Sequence, residues 1–139
     1  MGQPYKDAEF DFVNALEVIE HLENPIYFLK ELKRIIKPHK YLLLSTLNQL
    51  SPEGWKGKIV EIVSGKKWNG WDDTHKHLFC YPEIINRMNR HFEILNIIGY
   101  YFGVNVLHRH IRPFIWPLSS SHKMLRRFGF NIIILARNS

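Results

Sequence analysis

Apolar residues gather along this chain in short runs separated by polar stretches, and each run predicts an element. Phe10 to Ala15 is short and apolar, with Val and Phe, and reads as a buried parallel strand. Asn24 followed by Pro25 marks a helix start, a side-chain cap and then a residue whose fixed φ suits the first turn. Ile26, Leu29, Leu32, Ile35 and Ile36 then fall on one helical face, with Lys30, Glu31, Lys33, Arg34 and Lys37 elsewhere. Pro38 is expected to end that helix. Tyr41 to Ser45 is a continuous run and predicts a second buried strand. Strand, helix, strand is a βαβ unit, which closes right-handed onto a parallel sheet.

Beyond this unit the pattern loosens. Residues 50–73 read as a loop rich in Gly, Lys and Trp, with a helical turn at Lys58 to Val63. Pro82 to His91 carries Ile84, Ile85 and Met88 on one side and predicts a helix. Phe92 to Ile98 and Phe130 to Ala136 predict two more strands. Residues 103–128 are basic and aromatic, broken by Pro113 and Pro117. There is no internal repeat.

With 139 residues, 45% hydrophobic and 23% charged, the chain has the makings of one globular domain and not of a disordered segment. Its longest apolar runs, such as Ile132 to Ala136, are far too short to span a bilayer. Met1 to Asp11 lacks the apolar centre of a secretory leader. Cys80 is the only cysteine, so no intrachain disulfide forms, which fits a reducing cytoplasm. The net charge of +6 is uneven: residues 1–70 carry ten basic and nine acidic side chains, and residues 71–139 carry nine and four. After Glu93 no carboxylate side chain follows. Such a tail attracts phosphates, acidic lipid or an anionic substrate, or else it is simply a solvated basic face.

The most specific stretch runs from Phe10 to Asn48, FDFVNALEVIEHLENPIYFLKELKRIIKPHKYLLLSTLN. It resembles the second half of a class I S-adenosylmethionine-dependent methyltransferase, in the branch that methylates quinone precursors and related small molecules. That branch reads LPFPDNSFDLV, EVLEHL, a helix ending KPGG, and YLLLSTPN. Residues Gln3 to Val13 match the first piece and Glu17 to Leu22 the second.

The resemblance implies an α/β fold, a partial Rossmann-like sheet from the family's fourth to seventh strands, parallel with an antiparallel last strand. That strand would insert between the two before it. Residues 1–139 would be the C-terminal part of the methyltransferase domain, with residues 103–128 as a basic aromatic insertion or lid. The cofactor would be S-adenosylmethionine, lying against Asn14, Ala15 and Leu16 just after the first strand. The family's glycine-rich loop has no counterpart after Met1, so a missing N-terminal half or self-association is expected to complete the site. Without a neighbouring strand, Phe10 to Ala15 would be an exposed apolar edge. The family's Gly-Gly after Pro38 is His39-Lys40 here, strained by about 1–2 kcal/mol if that turn needs positive φ. Its Thr-Pro-Asn is Thr46-Leu47-Asn48.

Glu17, Glu20 and His21 stand at i, i+3 and i+4, one face of a helical turn. Two carboxylates and an imidazole there can hold Mg²⁺, Mn²⁺ or Zn²⁺. The resemblance adds that quinone-biosynthesis O-methyltransferases and small-RNA 2′-O-methyltransferases use this E-x-x-E-H pattern with a histidine from a later loop. Asp73-Thr74-His75 resembles the Gly-Thr-His of the quinone enzymes, which makes His75 the fourth ligand and His77 the reserve. The metal would lower the pKa of an acceptor oxygen. Without a metal, His21 or His75 would serve as catalytic general base. The plainer alternative is that acidic residues simply suit a helix start, with His21 as their hydrogen-bond partner.

In the tail, Phe114 and Trp116 beside His108, Arg109, His110 and Arg112 suit a lid over a lipophilic or anionic substrate, a membrane-surface contact, or plain packing. Trp55, Trp68 and Trp71 suggest base stacking, but no nucleic-acid motif accompanies them. Two readings follow: methyl transfer to a small-molecule oxygen, or a non-catalytic binding module contacting a membrane surface or an acidic partner.

Overall fold

The computed structural model describes residues 4–68, 72–100 and 125–139. Trp71 and nearly all of the expected lid over residues 103–128 lie outside the described residues. The elements are β1 (Phe10–Leu16), a 3-10 turn (Ile19–His21), α1 (Pro25–Ile35), β2 (Ile36–Leu47), α2 (Pro52–Ser64), α3 (Tyr81–Asn89), β3 (Phe92–Tyr100), a second 3-10 turn (Leu125–Phe128) and β4 (Asn131–Asn138).

The strands form one mixed sheet in the order β1-β2-β4-β3. β1 runs parallel to β2, and β4 is antiparallel to both of its neighbours. This is the fold expected, including the last strand inserted between the two before it. Ala15 lies opposite Leu44, Leu44 opposite Ile134, and Ile134 opposite Ile97. That face of the sheet packs with Leu29 and Leu32 of α1 and Ile84 and Met88 of α3, all buried. Each such side chain contributes roughly 1.5–3 kcal/mol of burial. β1 is an edge strand of this sheet, and Phe12 and Leu16 are about half exposed, at 52% and 47%.

α1 starts as expected, with the Asn24 side chain accepting from the Tyr27 N–H at 3.0 Å. It ends three residues earlier than expected, at Ile35. Proline disfavours helix in the residue before it and clashes with the carbonyl four back, so Lys37 and Ile36 are pushed to extended backbone. Asn138, nearly fully buried, donates to the carbonyls of Lys33 at 3.0 Å and Ile36 at 2.7 Å. It thereby satisfies acceptors that the helix end leaves open. β2 then begins at Ile36 and passes through Pro38. Its pairing with β1 skips from Phe10↔Ile36 to Phe12↔Tyr41, so residues 37–40 bulge. His39 sits in that bulge at φ 64°, the strained conformation anticipated where the family has glycine. Asp11 ties the bulge down by pairing with Lys37 at 2.7 Å and Lys40 at 3.0 Å, and both hold its carboxyl below the usual range.

The larger departure is α2. Residues 52–64 form a full helix where a loop with one helical turn was expected. Ser51 caps it, accepting from the Gly54 N–H at 3.1 Å. Gly65 ends it in the left-handed conformation that glycine permits. The helix meets the body through Gly54 and Gly57: a Cβ at either position would overlap the backbone of Gln49 or the ring of Trp68. Its opposite side exposes Trp55, Ile59, Ile62 and Val63. Among the described residues no helix is long and apolar enough to cross a membrane.

Candidate active site

The site begins where β1 ends. The Glu17 N–H donates to the Ser45 carbonyl at 3.2 Å and to its hydroxyl at 3.1 Å, which fixes the strand end against β2. Glu17 then takes φ 55°, turning the chain off the sheet into the 3-10 turn. Ile19 anchors that turn in the core with no exposed surface, and it draws Glu20 inside with it, also at 0% exposure. Carbonyl Glu20 accepts the backbone N–H groups of Lys76 at 2.9 Å and His77 at 3.0 Å. Those two bonds bring the loop around residues 72–77 alongside the turn.

Three predicted residues meet there. One ligating atom from each of Glu20, His21 and His75 lies within 4.8 Å of the others. The two imidazole rings are 4.7 Å apart, tilted by 43°. Glu20 Oε2 accepts from Thr46 Oγ1 at 3.3 Å, while Oε1 is buried without a partner among the described residues. Burial pushes the Glu20 carboxyl above the ordinary carboxylate range, and the charge of Glu17 adds to that rise. Its own backbone N–H and the two imidazoles pull the other way.

The remaining predicted residues are placed differently. Glu17 is exposed and outside the grouping, because the left-handed turn separates it from the face that Glu20 and His21 share. The helical i, i+3, i+4 spacing does not operate there. His77 turns to the Glu23 carbonyl, 3.3 Å away, and stacks at 6.0 Å on Phe79. Asn14 and Leu16 are exposed, but the Ala15 side chain is packed in the core. Only the backbone of Ala15 is left to face a ligand.

The sequence reading missed three contributors. Thr74 Oγ1 lies 2.8 Å from His21 Nδ1, which orients that ring. Asp72 shapes the loop by accepting from the Thr74 N–H at 2.8 Å, and this bond is the main cause that holds its carboxyl low. Thr46, fully buried, is the partner of Glu20. A threonine at the end of an apolar strand was the available signal for Thr46. Nothing in the spacing pointed to Thr74.

The family model for methyltransferase domains matches residues 1–94. Ubiquinone biosynthesis O-methyltransferase of Rickettsia bellii is 32% identical over 103 residues, covering 70% of this chain and 41% of that protein. Its counterpart in Maricaulis maris is 36% identical over 73 residues, covering 52% and 27%. The chain therefore spans less than half the length of these relatives. Among solved structures, an S-adenosylmethionine-dependent methyltransferase of Thermotoga maritima superposes with a TM-score of 0.69 at 20% identity, covering 99% of this chain and 60% of that one. One from Methanosarcina mazei gives 0.60 at 15% identity, covering 99% and 63%. The match over well more than half of the chain, together with the mixed sheet and its inserted antiparallel strand, makes this protein a member of the methyltransferase-domain family, with part of the class I S-adenosylmethionine-dependent fold.

Proposed function

We propose that the chain carries the acceptor side of a methyl transfer from S-adenosylmethionine to an oxygen of a small molecule. The observation that carries this reading is the buried, half-partnered Glu20 carboxylate beside His21 and His75, in a chain related to ubiquinone O-methyltransferases. The cofactor would supply a methyl group on a sulfonium, activated for in-line displacement. Asn14 and Leu16 stand exposed at the carboxyl end of β1, where open α/β sheets bind ligands.

One carboxylate and two imidazoles suit a borderline ion such as Mn²⁺ or Zn²⁺, and the free Oε1 is an open ligand position. Bound by Glu20, His21 and His75, such an ion would supply Lewis acidity toward the acceptor oxygen. The chain's own residues supply the proton chemistry. Where no ion binds, His21, with Nδ1 held by Thr74, has Nε2 left to accept the acceptor's hydroxyl proton. An ionised Glu20 stabilises the imidazolium that results. Low water access around Glu20 strengthens that pairing.

Calorimetric titration with S-adenosylhomocysteine and with Mn²⁺ tests the reading. Micromolar binding of the first is expected, and binding of the second should be lost in His75→Ala. No heat from either titrant would sink it.

A second reading concerns where the acceptor resides. Trp55, Ile59, Ile62 and Val63 form one stripe on α2, 58% to 82% exposed, with Lys56, Lys66 and Lys67 beside it in sequence. Apolar rings and chains with neighbouring cations suit the interface of an anionic membrane. Co-sedimentation with phosphatidylglycerol vesicles, lost in Ile62→Asp, is the expected result. Equal binding by wild type and variant would count against α2 as the contact.

A further inference from the structure

Away from the candidate active site, and sharing no residue with it, α1 and α3 leave a cleft of about 270 Å³ between them. Ile26 and Leu29 of α1 give it an apolar wall. Asn86, Arg87, Arg90 and His91, around the end of α3, give it a polar one, with Glu83 one turn earlier.

The charges around this cleft do not balance. Among the described residues Glu83 is its one carboxylate, and Arg87 already holds it, at 2.9 Å through Nη2 and 3.2 Å through Nε. The Arg87 guanidinium also lies over the Phe79 ring, 5.8 Å from its centroid. Glu93, the next carboxylate along the chain, is taken by Arg137 at 2.7 Å. Arg90 makes no ion pair among the described residues. Lys33 donates to the His91 carbonyl at 2.9 Å, which brings a further cation close. Burial and then the like charges of Lys33, Lys30 and Arg90 push the His91 imidazole below its ordinary pKa. Among the described residues the cleft thus sets a half-buried imidazole among cations and a guanidinium without an ion pair beside an apolar wall.

We propose that this cleft binds a small organic oxyanion, a phosphate monoester or carboxylate whose apolar body lies against the exposed side of Ile26. The planar guanidinium of Arg90 offers two parallel N–H donors to such a head group. Asn86 adds an amide donor, and His91 adds a ring N–H. The volume lies just under the range of about 300–1,000 Å³ that holds drug-sized ligands, so the occupant is small. The apolar wall argues for an organic anion over a bare inorganic one, because a bare ion would leave the half-exposed Ile26 in contact with water.

The test is an NMR titration that follows the His91 ring protons at pH 6.5, with phenyl phosphate, benzoate and inorganic phosphate as probes. A saturable His91 shift is expected with phenyl phosphate or benzoate, and the stronger of the two identifies the head group. Inorganic phosphate should bind at least about fivefold more weakly, since it has nothing to lay against the apolar wall. Arg90→Gln should weaken the organic probe by about tenfold, the worth of one charge-assisted hydrogen bond. Arg90 is exposed, so this variant keeps the fold, and unchanged signals elsewhere would verify that. Equal affinity for organic and inorganic probes, a His91 shift that survives Arg90→Gln, or no shift with any probe would each overturn the proposal.

Discussion

Asn48→Leu is expected to cost about 3–5 kcal/mol of folding stability, an unusually large loss for a polar residue. Asn48 is 3% exposed. Its Nδ2 donates to the carbonyls of Arg127 and Gly129, both at 2.8 Å. Its Oδ1 accepts from the N–H groups of Leu50 and Tyr81, both at 3.1 Å. One side chain therefore joins the end of β2, the start of α3 and the entry to β4. Leucine leaves four main-chain groups without their partner. Each buried orphan costs about 1–3 kcal/mol, and those that water can reach cost less. Asn48→Asp should lose nearly as much at neutral pH, because it sets a carboxylate against two carbonyls. It should recover part of that loss in acid, where a protonated oxygen can donate again. Urea unfolding of the three proteins checks this, and a loss below about 1 kcal/mol for Asn48→Leu would contradict the network.

Glu20→Gln should act in the opposite direction when no metal is present. The folded-state pKa of Glu20 is raised above its ordinary 4.5, chiefly by burial. Between those two values the folded chain holds a proton that the unfolded chain has released. Stability therefore falls as pH rises through that window, and the full penalty applies above it. Glutamine has no charge to desolvate. In chelator, the variant should be about 1 kcal/mol more stable than wild type at pH 8, and no more stable at pH 4. Mn²⁺ should reverse the order, raising the melting temperature of the wild type and leaving the variant unchanged. Thermal melts at the two pH values, with chelator and then with Mn²⁺, decide the matter. A gain independent of pH would mean that desolvation of Glu20 is not its source.

Local signals carried the first half of the fold. Asn24-Pro25 gave a true helix start, and the run from Tyr41 gave a true strand. Ile36 was misjudged because helical spacing continued past the point where Pro38 makes a helix untenable. α2 was read as a loop because its glycines and lysines dilute the apolar period. Those glycines turned out to be the packing surface. Glu20, His21 and His75 were legible as a group from the resemblance. Glu17 was grouped with them on helical spacing, which the left-handed turn at that residue removes. Asn48 was noticed only as part of an altered loop. Its partners lie 33, 79 and 81 positions away, apart from Leu50, and no local pattern encodes such distances.

The way α2 meets the body reverses the usual map of mutational tolerance. On most amphipathic helices the large apolar positions are intolerant and the small polar ones forgiving. Here Gly54 and Gly57 face the body with no room for a methyl group, while Trp55, Ile59, Ile62 and Val63 point outward. The seating of α2 against Gln49 and Trp68 thus depends on two positions that have no side chain. The bulky apolar positions face solvent, so polar substitutions there are expected to leave the contacts of α2 with Gln49 and Trp68 unchanged.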